Sequence, residues 1–416
     1  MSGLSKRSKG GLWLATALLG TAMTLTVVTP AAAAARAPAV SASGWAQFQG
    51  GAAHAGAEPG ENSITPANVS QLSVAWTAPI PAAQTIDTSE VLVIGGSAYV
   101  SSVNEVIALD AATGATLWQA TLPGAAVGTP AVQGGMVLTR YSRIVRRVAK
   151  NYVVALDSTT GTTVWTSQVS GGGDSLTTTA RRVYVTVGSQ VEALGLAHGG
   201  KLWQSAALPG CGLSSPSVAA GMVVVGSGGT NVSALSTATG AVAWEDTLGT
   251  GCGSSASVWL PAISGGTIYA GLLNGVAALS LSTGAVLWHN QAPPNAGVFF
   301  PLSMTGSSVI TGPNSGLEIA ALGKAHGSVR WRDIFTGSDQ VAGTATFGQL
   351  VWGNFTTGAG NSGGATAYDL ATGHQLFSAP QPNDNAGFPP TVANGRVYLN
   401  LGNEVECLTL PATATG

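Results

Sequence analysis

The sequence predicts an all-β protein, an eight-bladed β-propeller of four-stranded blades in which the last blade is closed by the N-terminal strand. Three observations support this class. A segment that ends in Trp recurs every forty-odd residues, runs rich in Val, Ile and Tyr separate its copies, and charged residues make up only 8% of the chain. Such a composition cannot coat long amphipathic helices. Its 45% hydrophobic content also excludes a disordered chain.

The repeat has the form A-L-x-x-x-T-G-x-x-x-W. Its copies span residues 108–118, 155–165, 193–203, 234–244, 278–288, 321–331 and 367–377. Forty-odd residues hold the four short strands of one propeller blade. The Gly suits a turn position with positive φ, and the large aromatic residue is expected to pack between adjacent blades. These aromatic residues are Trp76, Trp118, Trp165, Trp203, Trp244, Trp288, Trp331 and Phe377.

The two ends of the repeat array complement each other. Residues 406–408 match the A-L strand but have no Trp strand after them, whereas residues 72–76 are a Trp strand with no A-L strand before them. We therefore expect the N-terminal strand to supply the missing outer strand of the last blade, which removes an open sheet edge. Seven complete units and one shared unit make eight blades over residues 71–411, preceded by an N-terminal extension over residues 36–70.

Residues 1–35 have the pattern of a secretory signal peptide. Lys6, Arg7 and Lys9 precede an uncharged apolar stretch over residues 11–29, and small residues follow up to Ala35. An uncleaved anchor helix is the alternative. No later run reaches the roughly 18 apolar residues of a membrane span. The sequence thus predicts a secreted or cell-envelope-associated monomer that is mildly acidic after cleavage and has no affinity for nucleic acid.

The repeat, together with the segment over residues 45–76, resembles the pyrroloquinoline-quinone-like (PQQ) repeat propellers of the quinoprotein alcohol dehydrogenase-like superfamily. The resemblance implies a quinone on the propeller axis, between a Trp and a disulfide of adjacent cysteines. It also implies a Ca²⁺ held by a Glu and an Asn, and a catalytic Asp. This sequence contains no Cys-Cys pair, and after signal removal it is shorter than those enzymes. The ligands of the family site cannot be assigned to positions here.

The sequence therefore favours a non-catalytic exported propeller, a ligand- or protein-binding scaffold for which we expect no cofactor. Its expected partner is a protein, a glycan or an anionic cell-envelope polymer. The alternative is a PQQ- and calcium-dependent alcohol or sugar dehydrogenase, the only interpretation that needs PQQ and Ca²⁺. A further alternative is an envelope-assembly adaptor, similar to the lipidated propeller that helps to insert outer-membrane proteins.

Two cysteines occupy equivalent positions in consecutive blades. Cys211 follows Trp203 by eight residues, and Cys252 follows Trp244 by eight. Both lie on loops that lead into neighbouring inner strands, so a disulfide is expected in an exported protein. Two free thiols or a redox role are the alternatives. Cys407 stands at an Ala position of the repeat and is predicted to be a small buried residue.

Acidic residues recur on the loops that lead into inner strands. They are Asp87, Asp174, Asp339 and Asp384. If the loops converge, these side chains surround one mouth of the axial channel and are candidates for binding a cation or a polar ligand. The alternative is a set of solvated loop carboxylates. The histidines show no metal-ligand spacing, and no metal site is predicted.

Basic residues are concentrated in one part of the chain. The cluster comprises Arg140, Arg143, Arg146, Arg147, Lys150, Arg181 and Arg182. The cluster is also a candidate docking patch for an anionic partner such as a phosphate-bearing wall polymer. A solvated, extended hairpin without a partner is the alternative.

Overall fold

The computed structural model describes residues 44–81, 89–173, 175–228, 230–249, 260–272, 275–291, 301–312, 318–334, 340–356, 362–382 and 389–411. In these residues eight sheets form the blades of a ring, each with four antiparallel strands, and a two-residue parallel strand, Ala57–Glu58, adds a fifth to one of them. Three short elements precede the first blade: β1 (Ala57–Glu58), a 3₁₀ turn (Val69–Gln71) and β2 (Ser73–Pro79). The predicted fold class is confirmed.

Each blade is an antiparallel meander that begins at its innermost strand. Blade 1 consists of β3 (Leu92–Ile94), β4 (Ser97–Ser102), β5 (Glu105–Asp110) and β6 (Thr116–Thr121). Blade 2 consists of β7 (Ala125–Gln133), β8 (Met136–Val145), β9 (Val148–Asp157) and β10 (Thr163–Val169). Blade 3 consists of β11 (Thr177–Thr178), β12 (Arg182–Val187), β13 (Gln190–Gly195) and β14 (Lys201–Gln204). Blade 4 consists of β15 (Ser217–Ala219), β16 (Met222–Gly226), β17 (Asn231–Ser236) and β18 (Val242–Thr247).

The second half of the ring repeats this order. Blade 5 consists of β19 (Ala262–Ser264), β20 (Thr267–Leu272), β21 (Gly275–Ser280) and β22 (Val286–Gln291). Blade 6 consists of β23 (Ser303–Met304), β24 (Ser308–Thr311), β25 (Glu318–Gly323) and β26 (Val329–Ile334). Blade 7 consists of β27 (Gln340–Phe347), β28 (Leu350–Thr356), β29 (Ser362–Asp369) and β30 (Gln375–Pro382). Blade 8 consists of β31 (Thr391–Ala393), β32 (Arg396–Asn400), β33 (Glu404–Thr409) and β2.

The outer strand of blade 8 comes from the other end of the chain. Strand β2 pairs antiparallel with β33, with Ser73 opposite Thr409 and Pro79 opposite Glu404. Trp76 of β2 then packs on blade 1, since a Cβ built on Gly114 would lie 2.6 Å from its ring. The first and last parts of the ring are thus held together by main-chain pairing and by an aromatic contact.

A Trp–Gly contact joins neighbouring blades. Trp118 of blade 1 donates its indole Nε1–H to the Ser158 carbonyl of blade 2 (3.0 Å), and its ring covers Gly161, which has φ +70°. A Cβ at Gly161 would lie 2.6 Å from that ring, so only Gly fits. The same contact recurs for Trp165 on Gly199, Trp203 on Gly240, Trp244 on Gly284, Trp288 on Gly327 and Trp331 on Gly373. The predicted packing between blades is confirmed.

Blade 8 explains why the seventh repeat ends in Phe377 instead of Trp. Its outer strand belongs to the N-terminal part of the chain, so no repeat turn with a Gly connects its last two strands. The outer strand of blade 7 contacts the 3₁₀ turn over Val69–Gln71 instead. The turn Gly and the turn carbonyl that the repeat Trp contacts in other blades are therefore missing at this position.

The core of the protein lies between the blades, where the middle strands are buried on both faces. In β12, for example, every side chain from Val183 to Val187 is buried. Cys407 is also fully buried and is a free thiol. The prediction that it is a small core residue is confirmed. Among the described residues no helix is long and apolar enough to cross a membrane.

We predict that Trp165→Ala lowers the free energy of unfolding by about 3–5 kcal/mol, because it empties the contact between blades 2 and 3 and leaves the Leu196 carbonyl without its indole donor. The matched control is Val164→Ala, a neighbouring side chain that is half exposed and should change stability by less than about 0.5 kcal/mol. Urea unfolding followed by Trp fluorescence measures both. Equal losses for the two variants would contradict the assigned interblade role.

Candidate functional site

The N-terminal segment over residues 45–61 lines the inside of the ring, and we call it the collar. It passes the innermost strands of the blades in chain order. Trp45 and Val93 of blade 1 exchange two backbone hydrogen bonds of 3.2 Å, and at the other end the Glu61 carboxylate accepts from the Gly395 N–H of blade 8 (3.3 Å). The collar therefore contacts every blade at the same end of the channel.

One backbone N–H from each of seven inner strands points at the collar. Collar carbonyls accept the N–H groups of Val93, Val132, Val218, Ile263, Met304 and Thr346 over 2.6–3.2 Å. The N–H of Thr178 is accepted by the Gln47 side chain (2.8 Å). An innermost strand is a sheet edge, and its backbone groups must find partners when they are buried. The collar supplies those partners.

The collar closes around a buried carboxyl group. Glu90, which precedes β3, is 1% exposed. Its Oε2 accepts from Trp45 Nε1 (2.9 Å) and from the Gln49 backbone N–H (2.9 Å), and its Oε1 accepts from Gln49 Nε2 (2.9 Å). Burial raises the pKa of Glu90 to about 7, although these hydrogen bonds favour the ionised form and oppose the shift.

A histidine lies farther along the collar. His54 is fully buried between blades 3 and 4, where its Nε2 lies 3.0 Å from Thr177 Oγ1 and its Nδ1 lies 3.3 Å from Ser217 Oγ. The hydroxyl oxygens also lie within hydrogen-bond distance of the carbonyls of Pro216 and Pro261, respectively. A neutral imidazole has one N–H, so it donates to one hydroxyl group and accepts from the other. Burial lowers the pKa of His54 to about 3, so the imidazole is neutral at physiological pH.

At this end of the channel the polar side chains bind one another and the inner strands. Both oxygens of Glu90 are engaged by collar donors, which does not suit a carboxylate that must bind a cation. No group of three or more His, Cys, Asp or Glu that could hold a metal ion occurs among the described residues. Glu90 is therefore not available as a Ca²⁺ ligand in this arrangement.

The predicted channel-mouth carboxylates, Asp87, Asp174, Asp339 and Asp384, all lie outside the described residues. Cys252 does as well, so its pairing with Cys211 stays a prediction. Cys211 itself lies on the loop that leads into β15, where its N–H donates to the Gly228 carbonyl (2.7 Å).

The structure divides the predicted basic patch into three parts. Arg140 is buried, and its Nη2 donates to the Gly171 carbonyl (3.1 Å). Arg143, Arg146, Arg147 and Lys150 lie at the far end of the β8–β9 hairpin. Arg181 and Arg182 lie at the turn between β11 and β12. Because alternate turns of a meander lie at opposite edges, that turn belongs to the opposite face of the ring. The seven residues do not form one surface.

The end of this hairpin, residues 143–150, stands free of the rest of blade 2, and we call it the hairpin tip. The pairing of β7 with β8 ends at Ser142, and that of β10 with β9 ends at Asn151. Beyond these positions β8 and β9 pair only with each other, from Arg143 opposite Lys150 to Val145 opposite Val148. The tip is the second candidate site.

Sequence analysis missed the collar and the buried Glu90 and His54. A repeat search is blind to the segment before the first repeat, and carbonyl acceptors leave no trace in side-chain identity. One signal was present: residues 50–56 are all small except His54. Small residues let the backbone approach the inner strands closely, since a Cβ on Gly56 would lie 2.9 Å from the Leu302 carbonyl oxygen.

A family model described as outer membrane protein assembly factor BamB matches residues 67–185 and 149–298. Among solved structures, the chain is similar to a quinohemoprotein alcohol dehydrogenase from Comamonas testosteroni (TM-score 0.72, 17% identity, 91% of this chain and 82% of that one). It is also similar to BamB from Moraxella catarrhalis (0.63, 17%, 81% and 99%) and to the computationally designed Ika8 protein (0.66, 13%, 80% and 98%). No functionally curated protein matches the sequence.

We predict that Gln47→Ala lowers the free energy of unfolding by about 1–3 kcal/mol, because it strips the buried N–H and carbonyl of Thr178 of their partners. Gln204→Ala is the control: this exposed amide is hydrogen-bonded only to surface side chains, and its removal should cost less than about 0.5 kcal/mol. Urea unfolding measures both losses. A Gln47 loss no larger than that of Gln204 would show that the collar does not stabilise the inner strands.

The two buried titrating groups predict opposite pH dependences. Glu90 has a pKa near 7 in the fold against 4.5 outside it, so its contribution to stability is lost as the pH rises through that window. His54 has a pKa near 3 against 6.5, so its contribution is lost as the pH falls. Between pH 4.5 and 6.5 the two slopes offset each other.

Single variants should expose the separate slopes. Relative to wild type, the Tm of His54→Gln should fall as the pH rises from 4.5 to 6.5, and that of Glu90→Gln should rise. The contribution of each group to the free energy of unfolding changes by up to about 1.4 kcal/mol per pH unit. Calorimetry at several pH values tests the sign, whatever the absolute loss of stability in each variant. Parallel profiles for all three proteins would refute the assignment of these buried groups.

Proposed function

The chain belongs to the PQQ-like repeat family whose model is described as outer membrane protein assembly factor BamB, and we propose that it is an exported binding scaffold without chemistry of its own. The observation that supports this most is the collar. It fills one end of the channel, and its polar side chains bind the inner strands and the Glu90 carboxyl instead of an open site.

A scaffold of this kind recognises its partner with loops. The collar occupies the end of the channel at the turns between the first and second strands of each blade. The loops that join successive blades lie at the other end, as do the turns between the second and third strands. We propose that this second face presents the binding surface for a protein, a glycan or an anionic cell-envelope polymer.

An envelope-assembly adaptor is the second candidate within the same class. One observation favours it over a dehydrogenase, the description of the matching family model. The chain has no cysteine near the end of its predicted signal peptide, so an adaptor role needs another means of attachment.

Export also accounts for the proposed Cys211–Cys252 disulfide. A bridge between consecutive blades closes a loop of about 41 residues and stabilises the fold by about 4 kcal/mol in the chain-entropy model. Cytosolic proteins rarely keep such a bond. The buried Cys407 takes no part in it.

The experiment is a titration of the purified chain without residues 1–35 with PQQ and Ca²⁺, together with an assay of alcohol- and sugar-dependent dye reduction. A quinoprotein alcohol dehydrogenase treated in the same way serves as the positive control. We expect no saturable quinone binding and no dye reduction above the protein-free rate. Saturable, Ca²⁺-dependent quinone binding with turnover would overturn the proposal in favour of a dehydrogenase.

A further inference from the structure

The hairpin tip carries charge of one sign. Arg143, Arg146 and Arg147 are exposed and Lys150 is half-buried, whereas no acidic residue occurs anywhere between Asp110 and Asp157. The whole chain has more acidic than basic residues. A local excess of four positive charges on an acidic protein makes this tip the place where a negatively charged surface is attracted.

The tip also exposes apolar side chains, and it does so on both of its faces. Ile144 is 78% exposed and Val148 is 53% exposed. Because Val145 pairs with Val148 and Ile144 with Ala149, the two valines point to one face of the hairpin and Ile144 points to the other. A folded protein partner covers one face of a hairpin, whereas a lipid bilayer surrounds an inserted tip on all sides.

The turn itself is held in an unfavourable backbone conformation. Arg146 and Arg147 have φ values of +50° and +66°, which a two-residue hairpin turn requires and which Gly or Asn adopts at lower cost. Two arginines at these positions place two guanidinium groups at the outermost point of the hairpin. Backbone strain that is kept at an exposed turn is typical of functional sites.

Aromatic and cation–π contacts lie at the base of the tip. Tyr141 and Tyr152 stack at 4.9 Å between ring centroids, and the Arg143 guanidinium lies 4.9 Å from the centroid of the Tyr152 ring. Arg143 also donates to the Tyr152 hydroxyl (3.2 Å). These contacts hold the tip in an extended conformation about 10 Å beyond the last pairing with β7, at a rise of about 3.3 Å per residue.

From these observations we infer that the hairpin tip docks the protein on an anionic lipid bilayer. Ile144, Val145 and Val148 insert at the level of the headgroups, and Arg143, Arg146, Arg147 and Lys150 contact lipid phosphates. The length of the tip matches the depth of about 5–10 Å that interfacial anchors reach. The inference goes beyond the scaffold function and does not depend on whether the propeller binds a quinone.

The test is co-sedimentation of the chain without residues 1–35 with vesicles of phosphatidylcholine alone or with about a third phosphatidylglycerol. We expect binding to the anionic vesicles only. The double variant Arg146→Gln/Arg147→Gln should weaken it by about 30-fold. The control Arg181→Gln/Arg182→Gln makes the same change of net charge on the opposite face and should bind within about twofold of wild type. Equal weakening by both pairs would overturn the inference.

A second pair of measurements separates a bilayer from other anionic partners. Ile144→Ser/Val148→Ser keeps every charge, and we expect it to lose about tenfold in binding to the anionic vesicles. Unchanged binding of this variant would overturn insertion of the tip. The same variant should bind immobilised polyphosphate as tightly as wild type does, because that polymer contacts only the basic side chains. Tighter binding of wild type to polyphosphate than to the anionic vesicles would favour a phosphate-bearing polymer instead. Thermal melting shows whether each variant is folded, and little change is expected because residues 143–150 pair only with one another.

Discussion

Eight inner strands meet around the channel, and no strand of a blade covers their inner edges; in blade 7 the collar itself supplies the two-residue parallel strand β1. Seven of these edges direct the N–H of an equivalent residue at the collar, and hydrogen bonds of 2.6–3.2 Å satisfy them. A buried N–H without a partner costs about 1–3 kcal/mol, so the ring depends on a segment that belongs to no blade. The rest of the architecture follows from this one constraint, because the chain must pass through the channel before it can supply β2 to blade 8.

The Trp–Gly contacts at the outer strands fix the position of each blade relative to the next one. Seven repeat Trp residues cover a turn Gly of the next blade, and six of them, from Trp118 to Trp331, also donate the indole N–H to a carbonyl of that turn. Trp76 keeps the contact with Gly114 without such a hydrogen bond. Where blade 8 lacks the turn, Phe377 stands in place of the Trp, and both the Gly and the carbonyl that the Trp contacts in other blades are absent.

The collar hydrogen bonds and the Trp–Gly contacts differ in how far they can be predicted from the sequence. The Trp–Gly contact needs particular side chains at a fixed spacing, so the fold, the blade number and the pairing of residues 72–76 could be predicted from the repeat. The collar uses mainly backbone carbonyls, which any residue provides, and so its path could not. The basic cluster failed as a single patch for a related reason. Adjacent positions on a strand point to opposite sides, and Arg140 turns inward while Arg143 stays exposed.

Because the collar occupies one end of the channel, we expect the binding surface on the other face of the ring. A propeller leaves a cavity on its axis, and in this protein the residues at one end of it bind one another: Glu90 binds Trp45 and Gln49, and His54 binds Thr177 and Ser217. A computationally designed protein has a similar fold, and a fold by itself specifies no activity. What distinguishes this chain is a hairpin longer than its blade requires. Its tip exposes apolar and basic side chains, and their exposure to water does not stabilise the ring. Exposure of apolar side chains to water is unfavourable, and a partner outside the protein removes that cost when it binds. The tip is therefore the part of the molecule that contacts its surroundings.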